Sequence, residues 1–110
     1  MPRKLDIAVE DILTAIARIE ETADGVDFVQ FSSDWRSRYI IERCLQIISE
    51  ASRAIPDDLK ARHPDIKWVG VRDIGNVLRH QYASVSPTLI WNVVRDELPK
   101  LRAAIEAMRK

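Results

Sequence analysis

The sequence predicts an all-α fold, an antiparallel bundle of four long helices and one short one. Three observations carry that expectation. Apolar residues recur at steps of three and four along most of the chain, the spacing that gathers them on one side of a helix. Strand-like alternation of apolar and polar residues competes with it nowhere. Only three Gly and five Pro interrupt 110 residues, so the elements are long and the links between them short.

In the first helix Leu5, Val9, Ile12, Leu13, Ile16 and Ile19 form the apolar stripe, and Asp24-Gly25 ends it. A short link holding Phe28 and Phe31 leads to Ser33, which caps a second helix. Its buried side is Ile40, Ile41, Cys44, Leu45, Ile47, Ile48, Ala51 and Ile55. Pro56 stops that helix and begins a short helical turn through Leu59 to Arg62. His63-Pro64 closes the turn, because a residue before proline is steered away from helical geometry. The third long helix runs from about Ile66 to Gln81. Ser86-Pro87 is a cap and first-turn pair opening the fourth, whose stripe is Leu89, Ile90, Val93, Val94, Leu98, Leu101, Ile105 and Met108. Pro99 inside it loses a backbone hydrogen bond and crowds the preceding turn, which predicts a kink.

The length fits one domain, residues 1–110. Hydrophobic residues at 46% and charged residues at 31% are ordinary for a soluble globular chain. Seventeen basic residues balance seventeen acidic ones, so no overall positive field draws the protein to nucleic acid or an anionic membrane, and RNA binding has to come from a local patch. Cys44 is the sole cysteine, which excludes an internal disulfide and a cysteine-built metal site and fits a reducing cytoplasm. It reads as a small buried apolar residue. The stretch MPRKLDIAVED has no apolar run of the signal-peptide kind, and nowhere do eighteen apolar residues follow one another. A soluble cytoplasmic protein is expected.

Within the third helix the segment RDIGNVLRHQY, Arg72 to Tyr82, is unusually rich in chemistry-bearing side chains. At about 100° per residue, Arg72, Asn76, Arg79 and His80 fall within a wedge of about 100°. Val71, Ile74, Val77 and Leu78 fall on the opposite half and face the core, with Gly75 at the margin. Glycine there costs helix stability of about 1 kcal/mol against alanine and leaves room for a backbone or ligand to come close. Histidine is the usual proton-transfer residue near neutral pH, and arginine offers a fork of donors suited to phosphate oxygens. Asparagine contributes little to helix propensity, which weakens the reading of the wedge as a merely solvated face. The four together point to a phosphate-directed site.

These residues, with Tyr82, Ile90-Trp91 and Leu98-Pro99, resemble the HepT-like proteins of the HEPN superfamily. ERCLQIISEASRAIP, with Glu50-Ala51 before a short acidic turn, and RHPDIKW ahead of the motif helix resemble the same family. The resemblance implies a HEPN-type helical bundle forming a homodimer, with the two motif helices facing each other across a cleft. It implies a metal-independent ribonuclease acting as a toxin, paired with a minimal nucleotidyltransferase antitoxin. Carried over, His80 matches the catalytic histidine, Asn76 its accompanying polar residue, and Tyr82 the tyrosine that accepts AMP groups from the partner. A bulky anion on Tyr82 would occupy the phosphate site that RNA needs.

The spacing of the family motif puts its arginine at position 73, 74 or 75, where this chain has Asp73, Ile74 and Gly75. Arg72 and Arg79 are the arginines available on the same face. The expected chemistry is attack of the ribose 2′-hydroxyl on the adjacent phosphate, with His80 moving a proton and Arg72 or Arg79 stabilising charge on phosphorus. Asn76 would orient the phosphate or the imidazole. No metal or other cofactor is required, and neither His63 nor His80 has a carboxylate or thiolate at ligand spacing. His63 reads as a loop residue. The competing reading is a non-catalytic module that binds a nucleotide or a nucleotidyltransferase partner. A third is a purely structural helical dimer packed through Trp35, Trp68 and Trp91.

Overall fold

Helices account for every regular element in the computed structural model, which describes residues 3–81 and 85–109. In chain order they are α1 (Arg3–Ala23), α2 (Phe28–Ser33), α3 (Trp35–Ser52), α4 (Asp57–Lys60), α5 (Trp68–Gln81), α6 (Pro87–Asn92) and α7 (Leu98–Met108). A π-helical turn, Val93–Glu97, joins α6 to α7, so the two form one long rod. With α1, α3 and α5 that rod makes the predicted antiparallel bundle of four long helices. No helix among the described residues is long and apolar enough to cross a membrane.

The stripe of α1 forms as expected: Leu5, Val9, Ile12, Ile16 and Ile19 are buried, with Leu13 at the edge. It lies along Ile41, Leu45 and Ile48 of α3, and α7 closes on it with Leu101, Ile105 and Met108. Each such side chain removed from water contributes about 1.5–3 kcal/mol before the entropy of ordering is subtracted. Cys44 is buried among them, and that burial pushes its thiol up from the ordinary range. From α5, Leu78 is the residue that joins the core completely.

Several links differ from the sequence expectation. The Phe28–Phe31 stretch is itself helical, because Asp27 and Gln30 form a reciprocal cap at 2.8 and 2.9 Å and Phe31 is buried against the Trp91 ring, 4.9 Å between centroids. Asp34, not Ser33, caps α3: one carboxylate oxygen accepts from the Arg36 N–H at 3.0 Å and the other from the Ser37 hydroxyl at 2.8 Å. Ser33 instead ends α2, its hydroxyl donating back to the Val29 carbonyl. Ile40 is exposed, since the buried stripe of α3 runs through Ile41, Cys44, Leu45 and Ile48, one residue out of phase with it. α3 ends at Ser52, so Ile55 is buried from beyond the helix. Leu89 is exposed rather than part of the core stripe.

Pro99 produces a change of hydrogen-bond register rather than a simple kink. Its ring would collide with the carbonyl four residues earlier in a regular helix. The π turn ahead of it absorbs the misfit, with the Leu98 N–H reaching back to the Val93 carbonyl. Upstream of α5, the Trp68 indole N–H donates to the carbonyls of Lys60 and His63 at 3.0 and 3.2 Å, which fixes the link from α4 and starts α5 at Trp68 rather than Ile66.

The Asp34 cap sets a pH dependence. The Ser37 hydroxyl, with backbone N–H donors behind it, holds the Asp34 carboxyl below its usual value. Its contribution is therefore present above the unfolded value and is lost as pH falls through the folded one. Asp34→Ala lowers the thermal midpoint at pH 7, and the gap to the parent closes as the pH is taken below about 4, the ordinary carboxylate range. Parallel melting curves of the two proteins at pH 7 and pH 3 check this; an undiminished gap at pH 3 would contradict it.

Candidate functional site

The angular reading of α5 holds in its polar half. Arg72, Asn76, Arg79 and His80 are all exposed, on the side away from Leu78. In the apolar half, Val71, Ile74 and Val77 are only half-buried; Val71 and Ile74 line an open apolar groove toward Leu89, Val93 and Leu98 rather than a closed core. Arg79 and His80 occupy the last turn of the helix, where the unpaired carbonyls carry negative partial charge that favours cationic side chains. Tyr82 lies outside the described residues.

Asn76 and Arg79 are brought together and Arg72 is not. The Arg79 Nη2 donates to the Asn76 Oδ1 at 2.6 Å, a contact made possible by their three-residue spacing. Arg72 instead turns its Nε onto the Asp73 carboxylate at 3.0 Å. That pair is more than half exposed on the arginine side, so it is weak, but it neutralises the Arg72 charge locally. Asn76 thus orients an arginine, a role not among those the sequence suggested.

The glycine at the margin has a definite occupant opposite it. The Ser49 hydroxyl, from α3, donates to the Arg72 carbonyl at 2.6 Å and accepts from the Gly75 N–H at 3.2 Å. A Cβ built on Gly75 would lie 2.5 Å from Ser49 Oγ and 2.8 Å from Ser49 Cβ. The close approach is therefore between α3 and α5, and it leaves no space for an arginine at position 75. At position 75 the absence of an arginine has a packing cause.

Along that seam runs a small polar groove of about 80 Å³, lined by Arg43, Gln46, Glu50 and Arg53 from the α3 side, with Ser49 and Gly75 at its floor and Arg79 on the α5 side. Arg43 and Arg53 were not singled out from sequence. Arginines on a solvated helix face read as solvated, and their relation to Arg79 exists only once α3 and α5 are packed. The available signal was the spacing of Arg43, Gln46, Glu50 and Arg53, which sets them on one helix face.

The remaining candidates fall elsewhere. His63 is a half-buried link residue whose carbonyl holds the Trp68 indole. Trp91 is buried and Trp68 half-buried inside the same subunit, so of the three tryptophans only Trp35 is exposed, and a dimer packed through all three does not match the structure. Among the described residues no group of three or more His, Cys, Asp or Glu side chains comes together to hold a metal ion.

Comparison with known proteins bears on the chemistry. Residues 12–108 match the family model described as "Ribonuclease HepT-like". A protein of Thermococcus cleftensis named "Probable ribonuclease HepT" is 36% identical over 102 residues, covering 93% of each chain. Two proteins of Methanocaldococcus jannaschii, each named "Putative RNase", are 31% identical over 96 residues (87% of this chain, 88% of the relative) and 27% identical over 111 residues (100% and 96%). No solved structure matches the chain significantly.

Proposed function

The chain belongs to the HepT-like ribonuclease family, and from that premise we propose that it is an endoribonuclease that cuts RNA through the polar face of α5. The observation that carries the reading is the Arg79 guanidinium, fixed by Asn76 at 2.6 Å and adjacent in sequence to an exposed His80. A fixed fork of donors beside a proton-transfer group is what internal cleavage of RNA requires. The ribose 2′-oxygen attacks the neighbouring phosphorus and its proton passes to His80. The bond from phosphorus to the 5′-oxygen breaks, leaving a 2′,3′-cyclic phosphate and a 5′-hydroxyl. Arg79 bonds the non-bridging oxygens as negative charge grows on them. Because the nucleophile is part of the substrate, no metal is needed to activate water.

The leaving 5′-oxygen needs a proton, and each α5 face carries one histidine. A homodimer with two motif helices facing across a cleft would supply the second one and double the positive wedge of a chain with no net charge. In this reading the protein is a cytoplasmic toxin. A nucleotidyltransferase antitoxin silences it by transferring AMP to Tyr82, two residues past His80, which places a bulky anion in the phosphate site.

The glycine at position 75 favours a second reading, a subunit that binds a nucleotide or the nucleotidyltransferase without cleaving RNA. One assay separates the two. Purified protein incubated with RNA in EDTA cleaves it, and His80→Ala reduces the rate by about two orders of magnitude or more. Cleavage that needs a metal, or persists in His80→Ala, would overturn the proposal; intact RNA together with tight nucleotide or partner binding would establish the second reading.

A further inference from the structure

The groove between α3 and α5 shares Arg79 with the polar face of α5 and extends beyond it onto α3, and its chemistry is distinctive. Its lining includes three arginines, Arg43, Arg53 and Arg79, and one acidic residue, Glu50. That leaves a local excess of two positive charges (three minus one) on a chain whose total is zero. Among the described residues none of the three arginines is ion-paired: Arg79 is bonded to the Asn76 amide oxygen, and Arg43 approaches the Gln46 amide oxygen at 3.4 Å. Neutral amides hold both forks in place without cancelling their charge. The floor is shallow polar backbone and hydroxyl, because Gly75 contributes no side chain and Ser49 packs directly on it.

We infer that this groove binds a backbone phosphate of the RNA strand next to the one that is cleaved, with Arg43 of α3 and Arg53 at the C-terminal cap of α3 acting beside Arg79. The inference rests on the ribonuclease reading for its ligand and extends it to residues that the motif does not contain. A phosphate matches the site because guanidinium forks bond two oxygens at once, and because unpaired arginines in a polar recess gain most from an anion. Arg79 is common to both places, one residue from His80, so a strand seated in the groove runs on to the catalytic face. α3 thereby supplies the positive charge that Gly75 leaves out of α5.

The test uses the full chain, a single-stranded RNA oligonucleotide, and the same oligonucleotide with 2′-O-methyl riboses, which cannot attack and so reports binding alone. Arg43→Gln/Arg53→Gln is expected to weaken binding of the methylated strand at least tenfold. The slope of log affinity against log salt falls by about 0.7 for each phosphate of a single strand that the variant no longer neutralises. Both residues are exposed, and an unchanged thermal midpoint confirms the fold; Arg53→Lys, which keeps the charge, recovers part of the affinity. If the double variant binds the methylated strand with unaltered affinity and salt slope, or if the parent does not bind it, the inference is overturned. The two claims fail separately. Weakened binding in the double variant with no cleavage by the parent would keep the groove and remove the ribonuclease reading. Cleavage that depends on His80, with binding indifferent to Arg43 and Arg53, would do the reverse.

Discussion

Gly75→Ala lowers the thermal midpoint, and Gly75→Arg, which restores an arginine at a spacing the family motif allows, lowers it further without raising activity. Helix propensity alone predicts the opposite sign, a gain of about 1 kcal/mol for alanine over glycine. Packing decides. The new Cβ would sit 2.5 Å from Ser49 Oγ and 2.8 Å from Ser49 Cβ, and rotating the hydroxyl relieves only the first clash. The helices have to separate, which breaks the two bonds that Ser49 makes to α5 and costs about 1–3 kcal/mol in overpacking strain. A net loss of about 1 kcal/mol corresponds to roughly 4–8 °C in a domain of this size. Ser49→Gly removes the colliding atoms, so Ser49→Gly/Gly75→Ala is more stable than the sum of the two single changes predicts. Melting curves of the four proteins check it, and additive effects would contradict the packing explanation.

The long helices were legible because their stripes repeat over many turns: Leu5 to Ile19 in α1 and Leu98 to Met108 in α7 each bury as their spacing dictates. The exposed wedge of α5 was legible for the same reason, since a single angle per residue places Arg72, Asn76, Arg79 and His80. What escaped depends on how separate elements meet. α2 has six residues and too few turns to show a stripe; its Asp27–Gln30 cap and the stacking of Phe31 on Trp91 make it helical. The pairing of Arg72 with Asp73, and of Arg79 with Asn76, is a choice among side-chain conformations that spacing does not resolve. The groove residues Arg43 and Arg53 gain meaning only from the α3–α5 seam, which Ser49 and Gly75 set. Gly75 was legible as a position where a backbone or a ligand could come close, and spacing alone does not tell which; Ser49 of α3 fills the space.

Arg79→Ala lowers kcat about a hundredfold or more, whereas Arg72→Ala lowers it less than about tenfold, and neither changes the fold because both side chains are exposed. Both arginines lie on the exposed polar face of α5, so the difference comes from their partners. Asn76 holds Arg79 with its charge uncancelled, which spares reorganisation as the transition state forms. Arg72 must first leave the Asp73 carboxylate and lends less net charge while it stays. Asn76→Ala releases the Arg79 fork and gives an intermediate reduction, expressed in kcat more than in KM. Steady-state rates on one RNA for the three variants decide the matter. A larger reduction for Arg72→Ala would mean that the Asp73 pairing gives way when substrate binds and that Arg72 is the motif arginine after all.

The most direct test of internal cleavage by the α5 face is the chemistry of the product ends. The protein is incubated in EDTA with a defined RNA and with the same strand carrying one 2′-deoxyribose at the cut position. Attack by the 2′-hydroxyl predicts fragments ending in a 2′,3′-cyclic phosphate and a 5′-hydroxyl, and no cut at the deoxy position. Fragments bearing a 5′-phosphate, or cutting that continues at the deoxy position, would contradict it.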